Sequence, residues 1–207
     1  MDPSPASQRD LTLLLLQDHG MMRLSELKKR GIHPPTLSRM VEKGTLIRPS
    51  RGLYQLAGAD MELGHNLAEL AKRVPKAVIA LISALQYHEI TLQNARSVWM
   101  AIGEKDRKPK IDYPPARFVR FGEKALTAGI ERRHIEGVEV KIFDPAKTVV
   151  DCFRYRKSVG LDVAMEALRM ALRSKKATPG QIATYAQELR IWGVLRPYLD
   201  IAAANDT

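Results

Sequence analysis

Cysteine occurs once in the 207 residues, at Cys152, so no disulfide can close within the chain and a reducing compartment suits it. Long apolar runs are missing as well. Leu13 to Leu16 is the longest leucine run, far too short for a membrane span or a signal core, and Met1-Asp2-Pro3 carries no basic lead-in. The five histidines, His19, His33, His65, His88 and His134, stand apart, without the spacing of zinc ligands. A Ser/His/Asp set, a P-loop and a dinucleotide fingerprint are all absent, as are internal repeats and low-complexity tracts. These absences point to a cytoplasmic protein with no targeting segment, no bound cofactor and no enzymatic activity.

Acidic residues are also in deficit. Lys and Arg number 33 against 23 Asp and Glu, a formal charge of +10 and a pI near 9.8, which attracts polyanions. The surplus is concentrated early: from Arg23 to Arg51 there are eight basic residues and two acidic ones, Glu26 and Glu42. Within that stretch two short amphipathic helical patterns flank the turn His33-Pro34-Pro35. Leu24 and Leu27 mark the first helix, which Gly31 ends. In the second, Leu37, Met40 and Val41 recur at i, i+3 and i+4 and share one buried face. The opposite face carries Pro35, Arg39, Glu42 and Lys43, flanked by Thr36 and Ser38, with Arg39 where a helix would enter a major groove.

Thr45 to Arg48 and Leu53 to Leu56 then read as two strands around Pro49-Ser50-Arg51-Gly52, a tip where Gly52 allows positive φ. Ahead of them, Ser7 can cap a helix with Leu11, Leu14 and Leu15 as its buried stripe. Together these segments predict a winged helix-turn-helix over residues 1–60. Its expected contacts with double-stranded DNA are Thr36, Ser38, Arg39 and Lys43 on the helix and Arg48, Ser50, Arg51 and Tyr54 on the wing.

Ala57 to Asp60 is small and polar enough to be a hinge. Residues 61–207 read as a larger α+β domain, a small sheet packed by helices. Ala77 to Leu85 is apolar on all sides and expected to be buried. Strand patterns follow at Val98 to Ile102, Arg117 to Phe121, Ile130 to Ile135 and Val138 to Phe143, the last pair turning at Glu136-Gly137. Asp144-Pro145 opens a helix in which Lys147, Asp151 and Arg154 form a polar line, with Arg156 beyond, read as an i,i+4 ion-pair ladder. Later helices are expected around Ala164 to Leu172 and from Thr178-Pro179. A second basic run, Lys105, Arg107, Lys108 and Lys110 with Arg117 and Arg120, offers further phosphate contacts that raise affinity without reading sequence. Glu139-Val140-Lys141, with Asp112 upstream, matches the carboxylate-x-Lys spacing of metal-dependent nucleases. A nuclease with a winged-helix arm is therefore the alternative reading, although cross-strand ion pairing explains the tripeptide equally well.

Three blocks in order, Arg51-Gly52-Leu53-Tyr54, Ala84 to Thr91 (A-L-Q-Y-H-E-I-T) and Val138 to Leu172, resemble the AbiEi family, antitoxins of bacterial type IV toxin–antitoxin systems. Glu89-Ile90 stands where a Gly-Leu pair is common. The resemblance implies an autorepressor whose amino-terminal winged helix binds inverted repeats in its own promoter. It also implies a carboxyl-terminal domain that counteracts a nucleotidyltransferase toxin, for which Lys147, Asp151, Arg154 and Arg156 are the candidate surface. Direct contact with the toxin is not implied.

Overall fold

The computed structural model describes residues 7–57, 64–93, 95, 97–111 and 114–204, with the side chains of Ser50 and Ala204 left aside. Contacts divide the chain into a first unit, Met1–Pro75 with Arg133–Val140, and a second, Lys76–Arg132 with Lys141–Thr207.

The first unit is a winged helix-turn-helix. Helix α1 (Gln8–His19) starts where Ser7 accepts from the Asp10 amide. Its buried residues are Thr12 and Leu16, whereas Leu14 is 59% exposed. The stripe expected at Leu11, Leu14 and Leu15 is thus rotated, and Thr12 can face the core because its hydroxyl donates to the Gln8 carbonyl at 2.6 Å. After α1 come β1 (Met21–Arg23), α2 (Leu24–Lys29), α3 (Pro34–Glu42), β2 (Leu46–Ser50), β3 (Leu53–Leu56) and α4 (His65–Arg73). The strands form an antiparallel sheet in the order β1-β3-β2. Leu16, Met22, Leu27, Ile32, Leu37, Met40, Leu46 and Tyr54 make its core. Of the hinge expected at 57–60, only Ala57 lies among the described residues. Helix α4 packs on β1 and so belongs with the winged helix, beyond the expected boundary at 60.

Residues 133–140 complete this unit. Gly20 and Gly137, both at positive φ, bring two backbones together: a Cβ on Gly20 would sit 1.5 Å from the Glu136 carbonyl oxygen, and one on Gly137 2.4 Å from the His19 carbonyl carbon. The Glu136 carboxylate pairs with His65 Nδ1 at 2.8 Å and accepts from Gln55 Nε2 at 3.4 Å.

The second unit is α+β. Its strands β4 (Val78–Ile79), β5 (Val98–Gly103), β6 (Ala116–Phe121), β7 (Ile130–Ile135) and β8 (Val138–Phe143) form one sheet in the order β6-β5-β4-β8-β7. The tip of the β7–β8 hairpin is the segment counted with the first unit. The other elements are α5 (Leu81–Tyr87), α6 (Glu123–Thr127), α7 (Pro145–Arg154), α8 (Arg156–Val159), α9 (Leu161–Arg173), α10 (Pro179–Glu188) and α11 (Trp192–Ala204). Ala77 to Leu85 is buried as expected, split between β4 and α5, with Ile82 only partly covered. Asp144 caps α7 by accepting from the Lys147 amide at 2.8 Å, and Thr178 caps α10. Among the described residues no helix is long and apolar enough to cross a membrane.

Helix α7 overturns one expectation. Lys147 and Asp151 are both 0% exposed and pair at 2.5 Å, with the ammonium 4.0 Å from the Phe143 ring centre and 5.1 Å from that of Phe121. They cannot form an exposed ladder, because α7 is buried on nearly every side; of the candidate toxin-directed residues only Arg154 is exposed, and Arg156 donates to the Phe153 carbonyl at 3.0 Å. Burial pushes the Asp151 carboxyl up to about 6 against the pull of Lys147, and pushes Lys147 below its ordinary value. Removing one member of such a pair strands the other charge. Asp151→Ala is therefore expected to cost about 3–5 kcal/mol, while the double change Lys147→Met with Asp151→Leu stays near or above wild type. Thermal unfolding reads this as about 2–4 °C of Tm per kcal/mol for a chain of this size. A single variant that melts with the wild type would refute the assignment.

Candidate nucleic-acid interface

Helix α3 begins with Pro34 and Pro35 in its first turn, where a missing N–H costs nothing, and His33 at its N-cap supplies no side-chain bond. Gln8 of α1 fills that role: its Oε1 accepts from the His33 amide at 3.2 Å and from the Thr36 hydroxyl at 3.0 Å, and its Nε2 donates to the Gly31 carbonyl at 2.9 Å. The turn before α3 is thereby fixed to α1. Nothing periodic in the sequence marks Gln8 for this task. Leu37 and Met40 hold the inner face of α3, leaving Pro35, Ser38, Arg39, Glu42 and Lys43 exposed. Thr36 is half-buried, with its hydroxyl engaged by Gln8.

The wing is β2 and β3 joined by Arg51-Gly52, with Ser50 opposite Leu53. Gly52 has φ +75°, and its carbonyl accepts from the Leu24 amide at 2.8 Å, tying the tip to α2. Arg48 and Arg51 are exposed; the Ser50 side chain lies outside the described residues. Tyr54 departs from expectation: it is 6% exposed and sits in the core. The cause is topological, since β3 is the central strand and Leu53, Tyr54 and Gln55 are all buried.

Beside the wing lies an open groove of about 470 Å3 lined by Arg23, Ser25, Lys28, Arg51 and Arg73. The early basic surplus pointed to this neighbourhood, but Ser25 and Arg73 were not singled out. Burial acts to raise the nearby Glu26 carboxyl, yet the Arg23 N–H and the Lys72 ammonium outweigh it and hold Glu26 below its ordinary value.

In the second unit Lys105, Arg107, Lys108 and Lys110 are exposed. Arg117 is exposed and lays its guanidinium 4.0 Å from the Trp99 ring centre. Arg120 instead braces the loop after β5, its Nη1 donating to the carbonyls of Gly103 (3.3 Å), Glu104 and Asp106 (2.9 Å). Glu139 is exposed and Lys141 half-buried, and Asp112 lies outside the described residues. No group of three His, Cys, Asp or Glu side chains that could hold a metal occurs among the described residues. Cys152 is buried, and burial pushes its thiol well above the ordinary value, which makes it packing rather than a nucleophile.

Residues 9–57, the α1-to-wing stretch, match the family AbiEi_4, described as "Transcriptional regulator, AbiEi antitoxin". No curated protein matches the chain. Among solved structures, the chain is similar to the RV2827C protein from Mycobacterium tuberculosis, with a TM-score of 0.60 and 13% identity over 90% of this chain and 72% of that one. At that identity the likeness concerns the fold alone.

Tyr54 gives the test of this geometry. Tyr54→Ala is expected to destabilise the protein by about 3–5 kcal/mol, as truncation of a large core side chain does, whereas Tyr54→Phe keeps the ring and leaves DNA binding unchanged. Loss of binding by a folded Tyr54→Phe variant in a shift assay would return the hydroxyl to the interface.

Proposed function

Taking as premise that residues 9–57 match the antitoxin regulators of the AbiEi family, we propose that this protein is a type IV antitoxin and transcriptional autorepressor. It binds inverted repeats in its own promoter through α3 and the wing. The observation that carries the proposal is the pairing of an exposed Ser38, Arg39 and Lys43 face with an exposed Arg48 and Arg51 wing on one small unit. Arg39 reads bases and the wing holds the backbone, while the exposed cations from Lys105 to Lys110 add phosphate contacts.

Counteracting a nucleotidyltransferase toxin falls to the second unit, Lys76–Arg132 with Lys141–Thr207, with Arg154 as the exposed member of the α7 line. Neutralisation does not require a stable complex with the toxin. The alternative of a nuclease built on Glu139 and Lys141 has no specific observation in its favour.

Arg39→Ala is expected to weaken operator binding by about 1–3 kcal/mol, roughly 5- to 150-fold, and to relax sequence preference, as loss of a bidentate Arg–guanine pair does. Arg51→Ala should weaken all sequences alike and flatten the salt dependence. Shift assays on the chain's own upstream DNA measure both, and unchanged specific binding by Arg39→Ala would remove it from base readout. Full-length protein carrying both changes should still protect cells that express the toxin. Loss of protection would mean that neutralisation runs through DNA binding, and Mg²⁺-dependent cleavage lost in Glu139→Gln would favour the nuclease.

A further inference from the structure

The groove between α2, the wing tip and α4 is not part of the α3 face. Four cations line it, Arg23, Lys28, Arg51 and Arg73, and the carboxylates nearby are already engaged. Glu26 accepts from the Arg23 amide at 2.7 Å and pairs with Lys72, outside the groove lining, at 2.9 Å; Glu69 pairs with the groove's own Arg73 at 3.5 Å through Nη1, so Arg73 shares its charge with that carboxylate. Arg23 has, in addition, a terminal guanidinium nitrogen, Nη2, that is buried and meets no acceptor among the described residues. A buried donor of a charged group left without an acceptor is destabilising, and an incoming oxyanion would relieve it. Planar guanidinium groups beside a hydroxyl, here Ser25, suit an oxyanion of phosphate shape. Arg51 and Gly52 belong both to this groove and to the wing tip, so the groove is continuous with the wing.

We infer that this groove is a phosphate clamp: it takes a backbone phosphodiester of the bound duplex, with Arg23, Lys28 and Arg73 as donors in addition to Arg51. The inference rests on the DNA-binding reading above and extends the footprint from the wing onto α2 and α4. A clamp of this kind fixes the register of the protein on the duplex and adds affinity without adding sequence preference.

The test uses the full chain in a fluorescence-anisotropy salt series with the operator duplex and with a random duplex. Lys28→Ala removes an exposed groove cation, and Lys29→Ala removes the exposed neighbour on α2 that does not line the groove. With the melting temperature checked for each, Lys28→Ala is expected to weaken both duplexes by the same factor and to lower the slope of log affinity against log salt by about one. Lys29→Ala should leave the slope unchanged. Inorganic phosphate, titrated by NMR, should shift the amides of Arg23, Lys28 and Gly52 in the wild type and shift them less in Lys28→Ala. Equal slopes for wild type and Lys28→Ala, or an equal loss in both variants, would overturn the clamp while leaving the DNA-binding reading intact. Phosphate shifts at these amides with no change in slope would make the groove a site for a free phosphate and likewise overturn it. Failure of the wild type to bind either duplex would overturn the DNA-binding reading itself, and this inference with it.

Discussion

The close approach of Gly20 and Gly137 is the contact on which the amino-terminal unit depends. Neither position has room for a β-carbon, so the α1–β1 turn and the Glu136-Gly137 turn meet through bare backbone. Around that contact the Glu136 side chain, 7% exposed, faces His65, 11% exposed, and Gln55 on the central strand of the wing sheet. Both of those contacts are made by Oε2, which offsets part of the cost of covering the carboxylate, while Oε1 is buried with no partner among the described residues. The winged helix is therefore closed by residues that the chain supplies far downstream, in addition to α4. A small unit of about this size buries a limited core, and the hairpin tip counted with it carries two buried apolar side chains, Ile135 and Val138.

The basic character of the chain becomes informative once the cations are sorted by what they touch. Lys147 serves packing and an internal ion pair, Arg120 braces a loop, Arg117 lies over Trp99, and Arg156 caps a carbonyl at the end of α7. Arg39, Lys43, Arg48 and Arg51 are exposed on the unit whose α1-to-wing stretch matches a regulator family, Arg39 donating only a long bond to the Pro35 carbonyl at 3.4 Å. Net charge alone attracts any polyanion. In the DNA-binding reading proposed above, a helix seated by Gln8, with a cationic wing anchored to α2 through Gly52, would turn that attraction into a particular registration on the duplex.

Much of this was legible in the sequence because it is local. The 3.6 period of Leu37, Met40 and Val41, the paired prolines, the Gly52 turn and the Asp144-Pro145 helix start each carry their physical cause within a few residues. What failed depended on distant contacts. Tyr54 looks like a wing-end contact until β1 is seen to cover the other edge of β3, and β1 itself is too short to announce a strand. Lys147 and Asp151 at i and i+4 read the same way on an exposed helix as on a buried one, since spacing carries no information on what packs against that face. The hairpin tip left no periodic trace of its docking.

Glu89 joins the two kinds of information. It stands where glycine is common in the family resembled, and its backbone has φ +53°, a region that glycine enters freely and other residues enter at a cost. The turn is held from several sides. His88 Nε2 lies 2.7 Å from the Phe143 carbonyl, Lys176 donates to the His88 carbonyl at 2.6 Å, and the Thr91 hydroxyl donates to Glu166 at 2.8 Å. Lys176 also pairs with the Glu89 carboxylate at 3.0 Å; exposed on both sides, that pair offsets only a little of the backbone cost. The segment from Ala84 to Thr91 is therefore a structural hub that ties α5 to the end of β8 and to α9. His88 is 8% exposed, and its Nε2 is taken up by the Phe143 carbonyl, so within this hub the ring serves packing and backbone pairing.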